Sequence, residues 1–262
     1  MYIFVALYAV VCSLLIFGLL GLAFGDYMDT LGLYQTDNPV SCIMSPDPKL
    51  EPMFYPYMYD ITRTAIWEWE VKLNNATDGD WHFPINEYPF DIHNNKHPRD
   101  FPECDIFLTF GQLSGSSALG TTGYDFSQST HKYAYITTYT QAYPPQKITI
   151  TLGGSGDINL ELKPKALDLN DIRNIVLHEF GHGLGMEHYY IHDSTCVTPR
   201  SCGDRSVMYH SLNLWQNTTK SVTNEDIQML VRIYGEDGFG YPIPSWIPQQ
   251  CEFIDGLLSD CR

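Results

Sequence analysis

The run His178-Glu179-Phe180-Gly181-His182-Gly183-Leu184-Gly185-Met186-Glu187-His188 gathers three imidazoles and a carboxylate in one short stretch. Residues four apart on a helix lie one turn above each other on the same face, so His178 and His182 can offer nitrogens to one ion at about 2.0–2.1 Å. Glu179 stands one position along and points beside that pair, which suits a base acting on water better than a ligand. Gly185 allows a left-handed turn just after the helix, and this swings the chain so that His188 approaches from a second direction. Three neutral nitrogen ligands leave the fourth tetrahedral position open, the pattern of a catalytic zinc site and not of a structural one. A bare H-E-x-x-H arises by chance on many amphipathic helices. The extended string fixes five positions, and from the His and Gly content of this chain it is expected by chance at roughly a few in 100,000.

Downstream, Ser206-Val207-Met208-Tyr209 places a methionine in a short turn. A loop methionine is ordinarily core. After this string, the expectation is that the Met208 thioether packs beneath the histidines as a polarizable floor.

These residues must be positioned by elements that the pattern also foretells. Asn170 is an expected N-cap for a helix from Asp171 to Leu184, with Asp171 well placed in the first turn and Gly185 as the stop. A last helix is expected from Asn224 to Ile233, capped by Thr223 with Asp226 three residues on. An earlier helix capped by Asp60 puts Ile61, Ala65, Ile66, Trp69 and Leu73 on one face. Val40 to Ser45, Asp105 to Phe110, Tyr133 to Tyr139 and Lys147 to Leu152 read as strands, with a polar loop from Asn74 to about Glu103 and a glycine-broken loop after Leu152. The order of helix, strands, helix, helix predicts a mixed α/β domain.

Composition bounds the setting. Met1 to Gly25 carries no charged side chain and is almost unbroken apolar sequence from Ile3 to Phe24, so residues 1–25 are expected to be a signal peptide cleaved before Asp26, or an uncleaved N-terminal anchor. Both put the remainder outside the cytosol. The formal charge of -16 argues against nucleic acid and anionic membrane surfaces as partners. Of seven cysteines, Cys12 lies in the leading segment. The other six read as three disulfides, with Cys196–Cys202 and Cys251–Cys261 expected as local pairs. The sequons Asn75-Ala76-Thr77 and Asn217-Thr218-Thr219 fit the same route. Residues 26–235 are expected to form one domain, and 236–262 a disulfide-tied extension too short to bury a core.

HEFGHGLGMEH followed by SVMY resembles the metzincin metallopeptidases, whose signature is two zinc histidines, a glycine bend, a third histidine and a methionine turn. Among them the matrixins look nearest. Thr223 to Gly235 (TNEDIQMLVRIYG) is similar to the matrixin C-terminal helix, and Ala118-Leu119-Gly120-Thr121-Thr122 with the KITITL strand resembles the simpler bacterial matrixin-like enzymes. GMEH, with Cys196 and Cys202 in a longer segment before Met208, is similar to the reprolysins. The resemblance covers about residues 40–235, most specifically from 170 onward. His210 stands where matrixins carry proline after Met-Tyr, and Tyr189 replaces the Ser or Asp expected after the third histidine. No Pro-Arg-Cys-Gly string occurs. Cys42 lies in an expected strand, which favours a disulfide over a latency role. His131 stands without the His/Asp cluster that holds a second zinc in vertebrate matrixins.

The resemblance implies a twisted, mostly parallel sheet with an antiparallel edge strand, a long active-site helix and a C-terminal helix. It implies one zinc on His178, His182 and His188, Glu179 as the general base, and a peptide bond as substrate. By analogy Tyr209 and His210 wall the pocket beyond the cleaved bond. Asp193 is a weaker candidate for bonding a zinc histidine, and Asp157 for calcium. The partners expected are protein or peptide substrates, and the chain is expected to be a secreted monomer. Two other classes stay open: a metal-binding but inactive adhesion module of the same fold, and a reprolysin-like peptidase of narrow specificity. An intact Glu179 beside three histidines counts against the inactive module, because binding alone needs no base.

Overall fold

A computed structural model of the protein describes residues 38–48, 55–96, 100–112, 118–125, 133–143, 148–152, 156–160, 163–188, 206–209, 212, 214–239, 252–254 and 257–259. The expected leader, the pairs Cys196–Cys202 and Cys251–Cys261, and His131, Tyr189, Asp193 and His210 lie outside them. No helix among the described residues is long and apolar enough to cross a membrane.

The chain is α/β. Its main sheet has five strands in the order β2-β1-β3-β5-β4: β1 (Ser41–Met44), β2 (Ile85–Tyr88), β3 (Ile106–Gly111), β4 (Gly120–Asp125) and β5 (Tyr133–Tyr139). β2, β1, β3 and β5 run parallel, and β4 closes one edge antiparallel to β5. The mixed α/β class expected from the order of elements is met, and the mostly parallel sheet with an antiparallel edge is the arrangement that the resemblance implied.

The sheet is buried through β1, β3 and β5. Ile43, Ile106, Leu108, Ala134 and Ile136 join the core, and it continues into α1 (Tyr55–Ala76) through Ala65, Ile66, Trp69 and Leu73. Those are the apolar residues that the helical period selected. The helix itself starts earlier than Asp60, which lies exposed within it. On the same core sits α3 (Leu169–Gly183), contributing Ile172, Ile175, Val176 and Phe180. Trp69 Nε1 donates to Leu177 O at 3.1 Å, which ties α1 to α3 without leaving the indole N–H unpaired.

Cys42 is bonded to Cys104, with Cα atoms 5.7 Å apart, linking β1 to the segment two residues ahead of β3. This agrees with the expected disulfide use of Cys42. The supposed loop from Asn74 to Glu103 holds the end of α1, strand β2 and a short helix α2 (Phe90–His93). Alternation was too weak over four residues to reveal β2, whose position is set by pairing with β1. Likewise, where the sequence suggested a loop after Leu152, β7 (Ile148–Leu152) pairs antiparallel with a further strand, β8 (Gly156–Leu160). Two short strands, β6 (Gln141–Ala142) and β9 (Lys165–Ala166), pair just before α3.

The last described helix, α4 (Asn224–Tyr234), has the expected capping box: Thr223 accepts from Asp226 N, and the Asp226 carboxylate accepts from Thr223 N. Gly235 follows at φ 91. Phe239 then packs edge-on against Trp81 and Phe83, with ring centroids 5.1 and 5.7 Å apart. Phe239 thereby joins the main core. Farther on, β10 (Glu252–Ile254) and β11 (Leu257–Ser259) form a two-stranded pair.

Candidate metal centre

Helix α3 is held at both ends. Asp168, not Asn170, is its N-cap and accepts from Asp171 N at 2.8 Å. Asn170 instead reaches Asn217 at 2.5 Å. Either residue type can cap; the site goes to the one with a residue three ahead whose N–H points back. Asp171 is free of that duty and accepts from Trp215 N at 2.9 Å.

The C-terminus is a Schellman turn: Met186 N donates to Gly181 O at 3.1 Å and Gly185 N to His182 O at 2.7 Å. Gly185 sits at φ 94, as the sequence required. The turn reverses the chain and brings His188 back over the helix.

The three histidines come together, with one ring nitrogen of each within 4.8 Å of the others. The His178 and His182 rings lie at 90° with centroids 4.7 Å apart, and His188 completes the cluster at 5.1 Å from His178 and 4.6 Å from His182. His178 is buried, and the other two are half-buried.

Tautomers decide what this cluster can bind. His178 Nδ1 lies 2.6 Å from Val207 O, and His182 Nδ1 lies 2.6 Å from Met186 O. A carbonyl only accepts, so each Nδ1 carries the proton and each Nε2 of a neutral ring presents a lone pair. Burial, the largest influence, pushes the His182 pKa down to about 4, so that ring is neutral at physiological pH. The two bare Nε2 atoms nevertheless face each other at 3.2 Å. Two lone pairs at that distance repel unless a cation lies between them. Two nitrogens bound at about 2.0–2.1 Å to one tetrahedral ion lie about 3.3–3.4 Å apart. His188 Nε2 is also 3.2 Å from His178 Nε2. The donor set fits a metal ion.

Glu179 is 5 % exposed and stands outside this ligand set. Its Oε2 accepts from Thr122 Oγ1 on β4 at 2.7 Å. Burial pushes its carboxyl up to about 7, against the lowering effect of the Thr122 bond. A second β4 hydroxyl, Tyr124 Oη, donates to His182 O at 2.5 Å.

Below the helix, Met208 is fully buried. Its Sδ lies so close to Gly181 that a Cβ there would meet it at 2.3 Å. Gly181 falls between the two helical histidines, so the thioether packs against the segment that carries them. Tyr209 is half-buried beside the turn, donating its N–H weakly to Ser206 O at 3.5 Å.

Asp226 is the residue that pattern reading undervalued. Beyond its capping role, the carboxylate accepts from Ser206 Oγ at 2.5 Å, Val207 N at 3.1 Å and Met208 N at 3.5 Å. It therefore fixes the turn whose Val207 carbonyl holds His178. Its box position in the sequence explained it fully, so nothing marked the second set of partners. Thr122 was quoted only within a resemblance. No local pattern marked its bond to Glu179, which lies 57 residues away in sequence.

Compared with known proteins, the chain matches no protein-family model and no curated protein at a significant level.

Proposed function

We propose that the chain is a zinc-dependent endopeptidase of the metzincin kind, matrixin-like with some reprolysin-like features, that acts outside the cytosol. The observation that carries the reading is the pair of Nε2 atoms facing at 3.2 Å, each ring fixed by a carbonyl at its Nδ1, beside a buried carboxylate held out of the ligand set.

His178, His182 and His188 hold the ion. Zinc suits neutral imidazoles and, when bound, supplies Lewis-acid polarisation of a carbonyl and acidification of water. Glu179 takes the proton of the attacking water as the new C–O bond forms, then delivers it to the amide nitrogen, and the peptide C–N bond breaks in that second step. The Val207 and Met186 carbonyls keep two imidazoles in the ligating tautomer. Tyr209 and His210 are assigned to the wall beyond the cleaved bond. One zinc suffices for this scheme, and calcium has no assigned role in it.

The test is metal analysis and peptide-library cleavage on the purified protein, with and without a chelator, alongside Glu179→Ala. We expect one zinc per chain, chelator-sensitive cleavage, and a loss of about 100- to 10,000-fold in turnover with zinc retained in the variant. Cleavage that survives chelation, or a variant as active as wild type, sinks the reading. Zinc binding without any cleavage would favour the inactive module.

A further inference from the structure

We propose that Gly120 and Thr122 on β4 form a niche that positions the Glu179 carboxylate, with Thr122 as a donor and Gly120 as the space the carboxylate fills. This rests on the assignment of Glu179 as the base of the proposed peptidase.

Glutamate on a helix has three rotatable bonds and, by itself, no single place for its carboxylate. In this protein two contacts restrict it. The Thr122 hydroxyl lies 2.7 Å from Oε2 and 3.2 Å from the main-chain oxygen of the same residue. A hydroxyl has one proton, and the shorter bond, to Oε2, takes it. Threonine is stiff at χ1, so its oxygen is a fixed point. Oε2 is thereby pinned.

Gly120 supplies the other wall. A Cβ at Gly120 would stand 2.5 Å from Glu179 Cγ and Oε1 and 2.6 Å from Cδ. The whole end of the side chain, not only its tip, occupies the space a side chain at 120 would take. Glycine weakens a strand and often marks close approach of another group. Gly120 is not among the described residues with positive φ, so its backbone does not call for glycine. The requirement comes from Glu179.

The niche sits on an edge strand and the base on a helix, so their relative placement is set by packing between β4 and α3. Neither Gly120 nor Thr122 belongs to the histidine cluster. Disturbing them should move the carboxylate and leave the metal ligands in place.

The experiment compares full-length zinc-loaded wild type with Thr122→Val, Thr122→Ser and Gly120→Ala. Valine keeps the shape without the hydroxyl; serine keeps the hydroxyl. Crystal structures of all four report the carboxylate position, chelator competition reports zinc affinity, and kcat and KM are read on a library-derived peptide. We expect Glu179 to stay bonded to residue 122 in wild type and the serine variant, and to leave the niche in the valine and alanine variants. Turnover should fall about 10- to 100-fold in the latter two, with KM and zinc affinity within about twofold, and serine should restore it. An unmoved carboxylate in Thr122→Val, or one that moves without loss of turnover in an active enzyme, overturns the niche. Should wild type cleave no peptide, the crystal structures still decide the positioning, and the peptidase assignment fails alone.

Discussion

Two flanks support the HEFGH segment, and they are built differently. On one side lies the turn 206–208, where a single buried carboxylate, Asp226, accepts from Ser206, Val207 and Met208 and also from Thr223. On the other lies β4, where Thr122 and Tyr124 each donate one bond to α3. The turn flank supports the ligand His178 through Val207 O, with several bonds sharing the load. The β4 flank supports Glu179 through one hydroxyl and an absent side chain. Redundancy around the metal ligands and economy around the base imply separable failures. Damage to the turn should cost stability and metal affinity, and damage to β4 should cost turnover.

The strongest way to break the contrast is Asp226→Ala. It strands the Ser206 hydroxyl proton, Val207 N and the Thr223 N–H at the N-cap of α4, while Met208 N keeps its 2.9 Å bond to Ser206 Oγ. Each stranded group costs about 1–3 kcal/mol, so a loss of about 3–5 kcal/mol is expected after partial relaxation. Zinc affinity should drop about 10- to 100-fold because Val207 O no longer holds the His178 tautomer. Asparagine is no rescue, since its NH2 would face donors. Burial also pushes the Asp226 carboxyl above its usual range, so some of its hydrogen-bond gain is spent against desolvation. Urea denaturation and chelator competition read both effects. Unchanged zinc affinity in a destabilised variant would mean that the turn does not position His178.

The Cys42–Cys104 bond provides the control, because it stiffens the sheet away from the histidines. Replacing both cysteines by alanine frees a chain segment of 62 residues' separation. Chain entropy puts that loss at about 4 kcal/mol. Zinc affinity per folded molecule should not change. If it falls as far as in Asp226→Ala, global stability and not the turn controls the metal centre.

Gly181→Ala tests the turn flank from the helix side. The new methyl would meet Met208 Sδ and, at 2.8 Å, Met186 Cε. Both are flexible thioether ends that can shift, so the overpacking cost should be about 1–3 kcal/mol by thermal or urea unfolding. A neutral result would show that Met208 is loosely seated.

The sequence was legible where one local pattern determined the outcome. The histidine spacing, Gly185, the Thr223 box and the strand Tyr133–Tyr139 each depend on a few adjacent residues, and the structure matches them. It was opaque where a choice between equivalent local options was made by distant partners. Asp168 caps the helix, and the Asn170 side chain instead bonds Asn217, 47 residues away. Strand β2 exists because β1 offers it an edge. The second role of Asp226 and the role of Thr122 depend on contacts 18–20 and 57 residues away in sequence, which no periodicity encodes.

Tyr124→Phe is the finest test, because it touches the β4 flank without touching Glu179. The Tyr124 hydroxyl is kept protonated by burial first, and then by the charges of Glu187 and Glu179, which push its pKa well above the usual value. It is therefore a donor to His182 O throughout the working range. That oxygen keeps its bond from Gly185 N in the variant, so only one acceptor site is lost. The expected cost is about 0.5–1.5 kcal/mol of stability. Turnover should stay within about twofold, because the base is pinned by Thr122 and not by Tyr124. Kinetics on the same peptide measure this directly. A loss as deep as that of Thr122→Val would mean the two hydroxyls act as one clamp on α3, and the division between a ligand-holding flank and a base-holding flank would have to be redrawn.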